Sequence, residues 1–207
     1  MRSYNAIKPL TIWIRVNQLR IIAGVAKGRT LGAVAGATRP TSDRAREGLF
    51  SSLLSEFGSF EGLRVLDLFG GSGAIGLESL SRGATSVHVV EKDEEAQRTI
   101  EVNYELVKKS NPSGNFHLYG MSAERFLKDA PKEKYHLVYI DPPYDFSNQE
   151  VEDVLGTLHD NEFLNIDAFI AVERTARGAM FIWPDAFAPA RERNYGQATI
   201  YYAHYLP

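Results

Sequence analysis

Short apolar runs alternate with segments whose apolar residues repeat at helical spacing over most of the chain. Val65, Leu66 and Leu68 form a run typical of a strand buried on both faces. Residues 74–82 repeat apolar side chains at helical spacing, and Gly83 is positioned to end that helix. The pattern predicts further strands at 86–91, 116–119, 135–140 and 168–173, and helices at 94–109 and 149–159. This alternation is typical of an α/β fold with a doubly wound sheet.

The two ends of the chain show a different pattern. Residues 19–23 and 27–31 resemble the two arms of a small hairpin, followed by a Gly/Ala-rich loop at 32–38. Residues 191–205 predict a second hairpin that closes one edge of the sheet. Residues 11–16 alternate as in a strand, but the same segment fits a disordered leader equally well.

A glycine turn follows the first buried strand. Gly70, Gly71 and Gly73 allow a tight turn that exposes backbone N–H groups at the start of a helix, which is where nucleotide-like ligands bind. Gly71, Gly73 and Gly76 satisfy G-x-G-x-x-G, which fits either a dinucleotide or S-adenosylmethionine. Asp67 favours the second ligand, because a carboxylate repels a pyrophosphate and attracts an ammonium and a sulfonium.

Further cofactor contacts are predicted at the ends of the next two strands. Glu91 is placed to accept both ribose hydroxyls, whereas the neighbouring Asp93 is better suited to cap the next helix. Ser122 and Ala123 follow the third strand, where a backbone amide and an apolar edge could hold an adenine ring. The candidate cofactor-binding residues are Asp67, Phe69, Gly70, Gly71, Gly73, Glu91, Lys92, Ser122 and Ala123.

The fourth predicted strand runs directly into Asp141-Pro142-Pro143-Tyr144. Prolines remove backbone donors and stiffen the chain, which leaves the carbonyl of Pro142 uncommitted to a strand ladder. Asp141 and that carbonyl can together accept both hydrogens of an exocyclic amine, and Tyr144 can stack on a planar base. These four residues are the candidate catalytic group, although such a string can also be an ordinary rigid turn.

Composition limits the class of protein, and charge indicates a partner. The 207 residues suit one domain, and the absence of cysteine excludes disulfides and thiolate chemistry and is compatible with a reducing compartment. The five histidines show no metal spacing, and no apolar run approaches a membrane span of about 20 residues. Residues 1–48 carry nine basic and two acidic side chains, against 14 and 24 in the remainder. This asymmetry favours an anionic partner at the N-terminal segment.

The helix predicted from Ser42 or Asp43 carries Arg44 and Arg46 in its first turn. Positive charge is unfavourable at a helix N-terminus. The two arginines therefore either meet a phosphate or a ligand carboxylate, or pair with a neighbouring acid such as Glu47.

Longer motifs narrow the choice of protein family. The sequence resembles the bacterial 16S rRNA guanine-N2 methyltransferases of the RsmD type over about residues 19–205, and residues 66–83, Glu91 and 141–144 are part of that resemblance. The motifs behind the resemblance are Arg20-Ile-Ile-Ala-Gly, Lys27-Gly-Arg29, Arg39-Pro-Thr-Ser-Asp-Arg-Ala-Arg-Glu and Tyr195-Gly-Gln. Tyr144 is a mild departure from the family pattern, in which Phe also occurs at this position, and either aromatic ring can stack.

The resemblance implies a Rossmann-like class I methyltransferase with a seven-stranded, mostly parallel sheet, an antiparallel last strand and helices on both faces. It implies S-adenosylmethionine as cofactor and a guanine amine at 141–144. The implied division is an extension at 1–18, an RNA-contacting hairpin and loop at 19–38, and the methyltransferase domain at 39–207. A cytoplasmic monomer without metal or membrane is expected. The implied substrate-binding residues are Arg20, Lys27, Arg29, Arg39, Pro40, Thr41 and Arg44.

Other functions remain open at this stage. A DNA adenine-N6 methyltransferase also uses D-P-P-Y, but the short chain leaves no obvious module for reading DNA sequence. A nucleotide-dependent oxidoreductase fits the glycines and is disfavoured by Asp67 and 141–144. A non-catalytic RNA-binding protein is disfavoured by the intact acidic residues. Methylation of a protein glutamine is disfavoured because the N-terminal segment is basic.

Overall fold

The computed structural model describes residues 19–34, 43–130, 133–176 and 180–207. The strand considered at 11–16, the extension at 1–18 and the candidate residues Arg39, Pro40 and Thr41 lie outside the described residues. Within the described ranges, no helix has the length and apolar character needed to cross a membrane.

Helices and strands alternate from residue 43 to residue 175, and two strands close the chain. The elements are α1 (Asp43–Phe57), β1 (Arg64–Asp67), α2 (Ala74–Ser81), β2 (Ser86–Val90), α3 (Glu94–Lys108), β3 (Asn115–Tyr119), α4 (Ala123–Asp129), β4 (Tyr135–Ile140), α5 (Asn148–Asp160), β5 (Leu164–Thr175), β6 (Phe187–Tyr195) and β7 (Ala198–Tyr205). The fifth strand is longer than the pattern at 168–173 indicates, because its two ends carry polar residues that hide them from an apolar count.

The strands form one seven-stranded sheet in the order β3-β2-β1-β4-β5-β7-β6. β1 to β5 pair in parallel, whereas β7 runs antiparallel to both β5 and β6. The predicted α/β architecture with a mostly parallel sheet and an antiparallel last strand is confirmed. The chain reverses its winding direction between β1 and β4, so a crevice opens at the carboxyl ends of these two strands.

Helices cover both faces of the sheet. On one face, Phe50 of α1, Leu77 of α2 and Ile100 of α3 belong to a buried cluster with Val65 and Leu137 of the sheet. On the other face, α4 and α5 contribute to a second cluster with the alternate strand residues, including Leu66 and Val138. The near-continuous apolar character of β1 and β4 follows from this burial on two sides.

The N-terminal hairpin is attached to the body of the protein through α2. Its two arms pair antiparallel, with a bridge between Arg20 and Thr30 and a 2.9 Å hydrogen bond from the N–H of Ile21 to the carbonyl of Arg29, as expected of the small hairpin. The N–H groups of Ile22 and Ala23 donate to the buried carboxylate of Glu78 on α2 at 2.6 and 3.0 Å. Ile21 is buried in the core cluster shared with α1 to α3.

Candidate active site

The carboxyl ends of the central strands enclose two connected spaces. The main cleft has a volume of about 570 Å³ and contains all four residues 141–144. A smaller inner cavity of about 120 Å³ lies beside it and is lined by Arg46, Asp67 and the glycine turn. Asp141 and Gly71 line both spaces. The sequence-predicted residues that also line the main cleft are Phe69, Glu91, Lys92, Ser122 and Ala123.

The glycine turn is shaped by backbone angles that other residues rarely adopt. Gly71 has φ 53° and Gly73, the N-cap of α2, has φ 77°. The N–H of Gly70 donates to the carbonyl of Val90 at 2.9 Å, which fixes the turn against the end of β2. Gly70 and Gly71 line the inner cavity, and Gly71 also lines the main cleft, whereas Gly73 closes the turn and begins the helix.

Glu91 is held by the backbone at both carboxylate oxygens. Its Oε2 accepts from the N–H of Gly71 at 2.8 Å, and its Oε1 accepts from the N–H of Asp93 at 2.9 Å. A carboxylate has about four acceptor positions, so each oxygen keeps capacity for a ligand hydroxyl. Asp93 instead caps α3, accepting from the N–H groups of Glu95 and Ala96.

Asp67 is a buried carboxyl at the end of β1. Its Oδ1 has no hydrogen-bond partner among the residues that the structure describes. Burial raises the pKa of Asp67 to about 7, opposed by hydrogen bonds from the backbone of Phe69 and Gly76, while the charge of Glu91 raises it further. An unpartnered buried carboxyl oxygen is costly unless a ligand donates to it.

The segment after β3 forms the far side of the main cleft. Ser122 caps α4 by accepting from the N–H of Arg125 at 3.3 Å, and the next residue, Ala123, is buried at the cleft wall. Ala123 and the nearby Met121 form an apolar edge of the main cleft. Lys92 is exposed and also lines the main cleft.

Hydrogen bonds from Arg174 hold the loop after β4 in place. The guanidinium of Arg174 donates to the carbonyl of Phe146 at 2.5 Å and to the side chain of Asn148 at 3.0 Å. The N–H of Phe146 donates to the carbonyl of Pro143 at 3.0 Å, which closes the turn. Tyr144 remains 65% exposed at the mouth of the cleft.

Three site residues were missed or only partly found by sequence reasoning. Arg46 is fully buried, and its guanidinium donates to the carbonyl of Arg20 at 3.1 Å. In the sequence, only its unfavourable positive charge at the start of a helix indicated a special role. Glu173 and Tyr195 line the main cleft from β5 and from the β6–β7 turn. The sequence around Glu173 gives no indication of a site, and that around Tyr195 gives only the Tyr-Gly-Gln motif. Strand pairing, which a local pattern does not show, brings both residues to the cleft.

The four candidate substrate-binding residues that the structure describes lie outside the main cleft. Arg20 and Lys27 are exposed on the N-terminal hairpin, and Arg44 is exposed on α1. Arg29 is half-buried and its Nε donates to the side chain of Ser110 at 3.0 Å, which links the hairpin to the end of α3. In residues 19–34, 43–130, 133–176 and 180–207, no group of three potential metal ligands is present.

The residues present fit S-adenosylmethionine. The free acceptor of Asp67 suits a cationic ligand. The expected exposed N–H groups of the glycine turn are not found, because those of Gly70, Gly71 and Gly73 donate to Val90, Glu91 and Gly70. The absence of side chains in the turn still allows its backbone to approach a ligand closely. Glu91 offers two oxygens for a ribose, and the main cleft is large enough for a nucleoside.

The fold and this site define the class of Rossmann-like, S-adenosylmethionine-dependent methyltransferases. The family model described as conserved hypothetical protein 95 matches residues 19–204. The chain belongs to this family, and the resemblance to the RsmD type is confirmed.

Relatives of known name and structure agree with this assignment. The chain is 34% identical over 183 residues to the ribosomal RNA small subunit methyltransferase D of Escherichia coli, covering 87% of this chain and 86% of the relative. It is 36% identical over 158 residues to the Bacillus subtilis protein YlbH, covering 75% of this chain and 82% of that protein. The solved structure of yhhF from Escherichia coli matches with a TM-score of 0.77 and 31% identity, covering 91% of this chain and 98% of that one.

Proposed function

We propose that this enzyme methylates the exocyclic N2 amine of a guanine in 16S ribosomal RNA. The observation that carries the proposal is that residues 141–144 and the cofactor-binding candidates Gly71 and Glu91 line one cleft. An amine held at the first group therefore lies beside a cofactor held at the second. The name of the Escherichia coli relative, a methyltransferase of small-subunit ribosomal RNA, supports the class of substrate.

The chain holds its cofactor at the glycine turn and the ends of β1 to β3. Asp67 offers its free oxygen to the ammonium, and the buried guanidinium of Arg46, in the same inner cavity, offers positive charge to the carboxylate. Glu91 accepts the ribose hydroxyls, and Ser122 and Ala123 border the adenine. Bound S-adenosylmethionine supplies a methyl group on a positively charged sulfur.

The loop after β4 activates the amine. The lone pair of an aryl amine is delocalised into the ring, and hydrogen bonds to Asp141 and the carbonyl of Pro142 favour its rehybridised, nucleophilic form. These bonds strengthen as positive charge develops on nitrogen, which is the condition for them to accelerate the reaction. Pro143 stiffens the loop, and Tyr144 stacks on the base at the cleft mouth.

The target base must leave its helix to reach this cleft. Arg20, Lys27, Arg29 and Arg44 contact the phosphates of the RNA around it, in keeping with the excess positive charge of residues 1–48. Arg39, Pro40 and Thr41 remain predicted RNA contacts. We infer the organisation expected from the sequence, with an extension at 1–18, a hairpin and loop at 19–38 and a methyltransferase domain at 39–207. The enzyme acts as a cytoplasmic monomer without metal.

Transfer of labelled methyl groups to competing acceptors tests the substrate. Small ribosomal subunits that lack their own guanine-N2 methylation, deproteinised 16S rRNA and duplex DNA are incubated in parallel with labelled S-adenosylmethionine and the enzyme. Label in the subunits or in free 16S rRNA is the expected result. Label in DNA alone would overturn the proposal in favour of an adenine methyltransferase, and label in ribosomal proteins would indicate amide methylation.

A further inference from the structure

Glu173 is a carboxyl in the main cleft that the proposed mechanism does not use. It lies at the end of β5, next to β4 in the sheet, where Tyr139 pairs with Ala171 and Ile140 with Val172. Continuing this parallel register by one residue places Glu173 beside Asp141. Residues two apart on a strand share a face, so Tyr139, Asp141, Ala171 and Glu173 all lie on the same side of the sheet.

Tyr139 fixes the orientation of this carboxyl. Its buried hydroxyl donates a 2.6 Å hydrogen bond to Oε2 of Glu173. Burial raises the pKa of Tyr139 well above its ordinary value, and the charges of Asp141, Glu173 and Asp67 raise it further, which keeps its hydroxyl a donor. Burial raises the pKa of Glu173, and the hydrogen bond from Tyr139 opposes that shift by favouring the ionised carboxylate.

The adjacent arginine does not compete for this carboxyl. Arg174 points to the opposite side of the strand, where it donates to Phe146 and Asn148. Glu173 is therefore an acceptor held beside Asp141, with Oε1 left to meet a ligand in the cleft.

We propose that Glu173 selects guanine by accepting a hydrogen bond from the ring N1–H of the target base. This rests on the proposed function, because it requires the base's exocyclic amine to be bound at Asp141. Adenine, cytosine and guanine all carry such an amine. Next to the amine, however, adenine and cytosine present a ring nitrogen with a lone pair, and only guanine presents a ring N–H. An acceptor beside Asp141 pairs with guanine and repels the other two.

The base analogue 2-aminopurine tests this contact. It keeps the 2-amino group of guanine but carries a lone pair at N1 and lacks the carbonyl oxygen at C6. The missing oxygen affects the wild type and a variant alike, so the contact is measured by the change in preference between them. The wild-type enzyme is first used to map the methylated nucleotide in small ribosomal subunits. Subunits are then reconstituted on ligated 16S rRNA with either guanine or 2-aminopurine at that position, and kcat/KM is measured for both. The wild type is expected to prefer guanine by about 100-fold or more, because sites built around a substrate hydrogen bond strongly reject analogues that lack it.

Glu173→Gln is expected to lose this preference. Tyr139 still donates to the amide carbonyl, which turns the amide NH₂ towards N1, where it clashes with guanine and donates to 2-aminopurine. The ratio of the two kcat/KM values should fall at least tenfold, with activity on 2-aminopurine rising. Tyr139→Phe should move the ratio in the same direction by a smaller factor, because it frees the carboxyl without removing it. Glu101→Gln, on the exposed surface of α3, is the matched control and should leave the ratio unchanged.

The outcomes separate this inference from the proposed function. An equal loss on both substrates in Glu173→Gln would overturn the inference and leave Glu173 as a structural residue. A wild type that prefers 2-aminopurine would also overturn it, because Glu173 would then act as a protonated donor. Failure of the wild type to form N2-methylguanosine in the first step would instead refute the proposed function.

Discussion

The N–H of Gly71 donates a 2.8 Å hydrogen bond to the carboxylate of Glu91, which joins the turn after β1 to the end of β2. The contact explains why an acid 20 residues downstream of a glycine turn can serve the same ligand. It also orients the carboxylate before any ligand arrives, so less conformational entropy is lost on binding.

Replacing Glu91 should weaken cofactor binding far more than replacing its neighbour. Glu91→Ala removes both oxygens that accept from Gly71 and Asp93 as well as the proposed ribose contacts. We expect the Kd for S-adenosylmethionine to rise about 100-fold, since hydrogen bonds to charged groups contribute about 1.5–3 kcal/mol each. Isothermal titration calorimetry measures it. Asp93→Ala is the control: it should destabilise α3 by about 1 kcal/mol and leave the Kd nearly unchanged.

Cofactor affinity should depend on pH through Asp67. Its pKa of about 7 in the folded protein means that the carboxyl is substantially protonated below neutrality, where it attracts a cation poorly. We expect the Kd for S-adenosylmethionine to rise as pH falls from 7.5 to 5.5, with protons released on binding. Titration calorimetry in buffers of different ionisation enthalpy counts those protons. Asp67→Asn should bind weakly with a flat profile; a pH dependence that survives this change would assign it to another group.

The same carboxyl should affect the stability of the protein without ligand. Between its ordinary pKa of 3.8 and about 7, Asp67 binds more protons in the folded chain than in the unfolded chain. Its contribution to the free energy of unfolding therefore falls as pH rises through this window. Denaturant titrations should show a less negative slope of stability against pH in Asp67→Asn than in the wild type, and equal slopes would contradict the assignment.

Gly48 keeps space for a residue of the cleft wall. A Cβ at Gly48 would lie 2.2 Å from the hydroxyl oxygen of Tyr195, so Gly48→Ala must displace that ring. We expect kcat/KM for the RNA substrate to fall about tenfold with unchanged cofactor affinity. The loss of activity should exceed any loss in the free energy of unfolding. Alanine is more favourable than glycine in a helix by about 1 kcal/mol, which offsets part of the cost of displacing the ring. In Tyr195→Ala, the further change Gly48→Ala should have no added effect on activity.

Local patterns predicted the strands, the glycine turn and the 141–144 loop because each depends on neighbouring residues in the sequence. The relation between Glu173 and Asp141 could not be predicted in this way, since it depends on the register of β4 against β5. The attachment of the N-terminal hairpin to α2 could not be predicted for a similar reason: Glu78, more than 50 residues away, accepts from the N–H groups of Ile22 and Ala23. Long-range contacts of this kind have no signal in a local pattern.

The basic hairpin should contribute to RNA affinity in a salt-dependent manner. Lys27→Ala removes an exposed positive charge, so binding to small ribosomal subunits should weaken and the slope of log K against log salt should shrink by about one. Filter binding at several salt concentrations measures both. Lys128→Ala, exposed on α4, should change neither value; equal effects of the two variants would mean that charge acts without regard to position.

The identity of the methylated nucleoside tests the central claim most directly. Small ribosomal subunits treated with wild-type enzyme and S-adenosylmethionine are digested to nucleosides and analysed by chromatography and mass spectrometry, alongside subunits treated with Asp141→Ala. We predict N2-methylguanosine with the wild type and none with the variant, although the variant binds the cofactor normally in a parallel titration. N6-methyladenosine, or N2-methylguanosine formed equally well by Asp141→Ala, would contradict the assignment of the amine to Asp141.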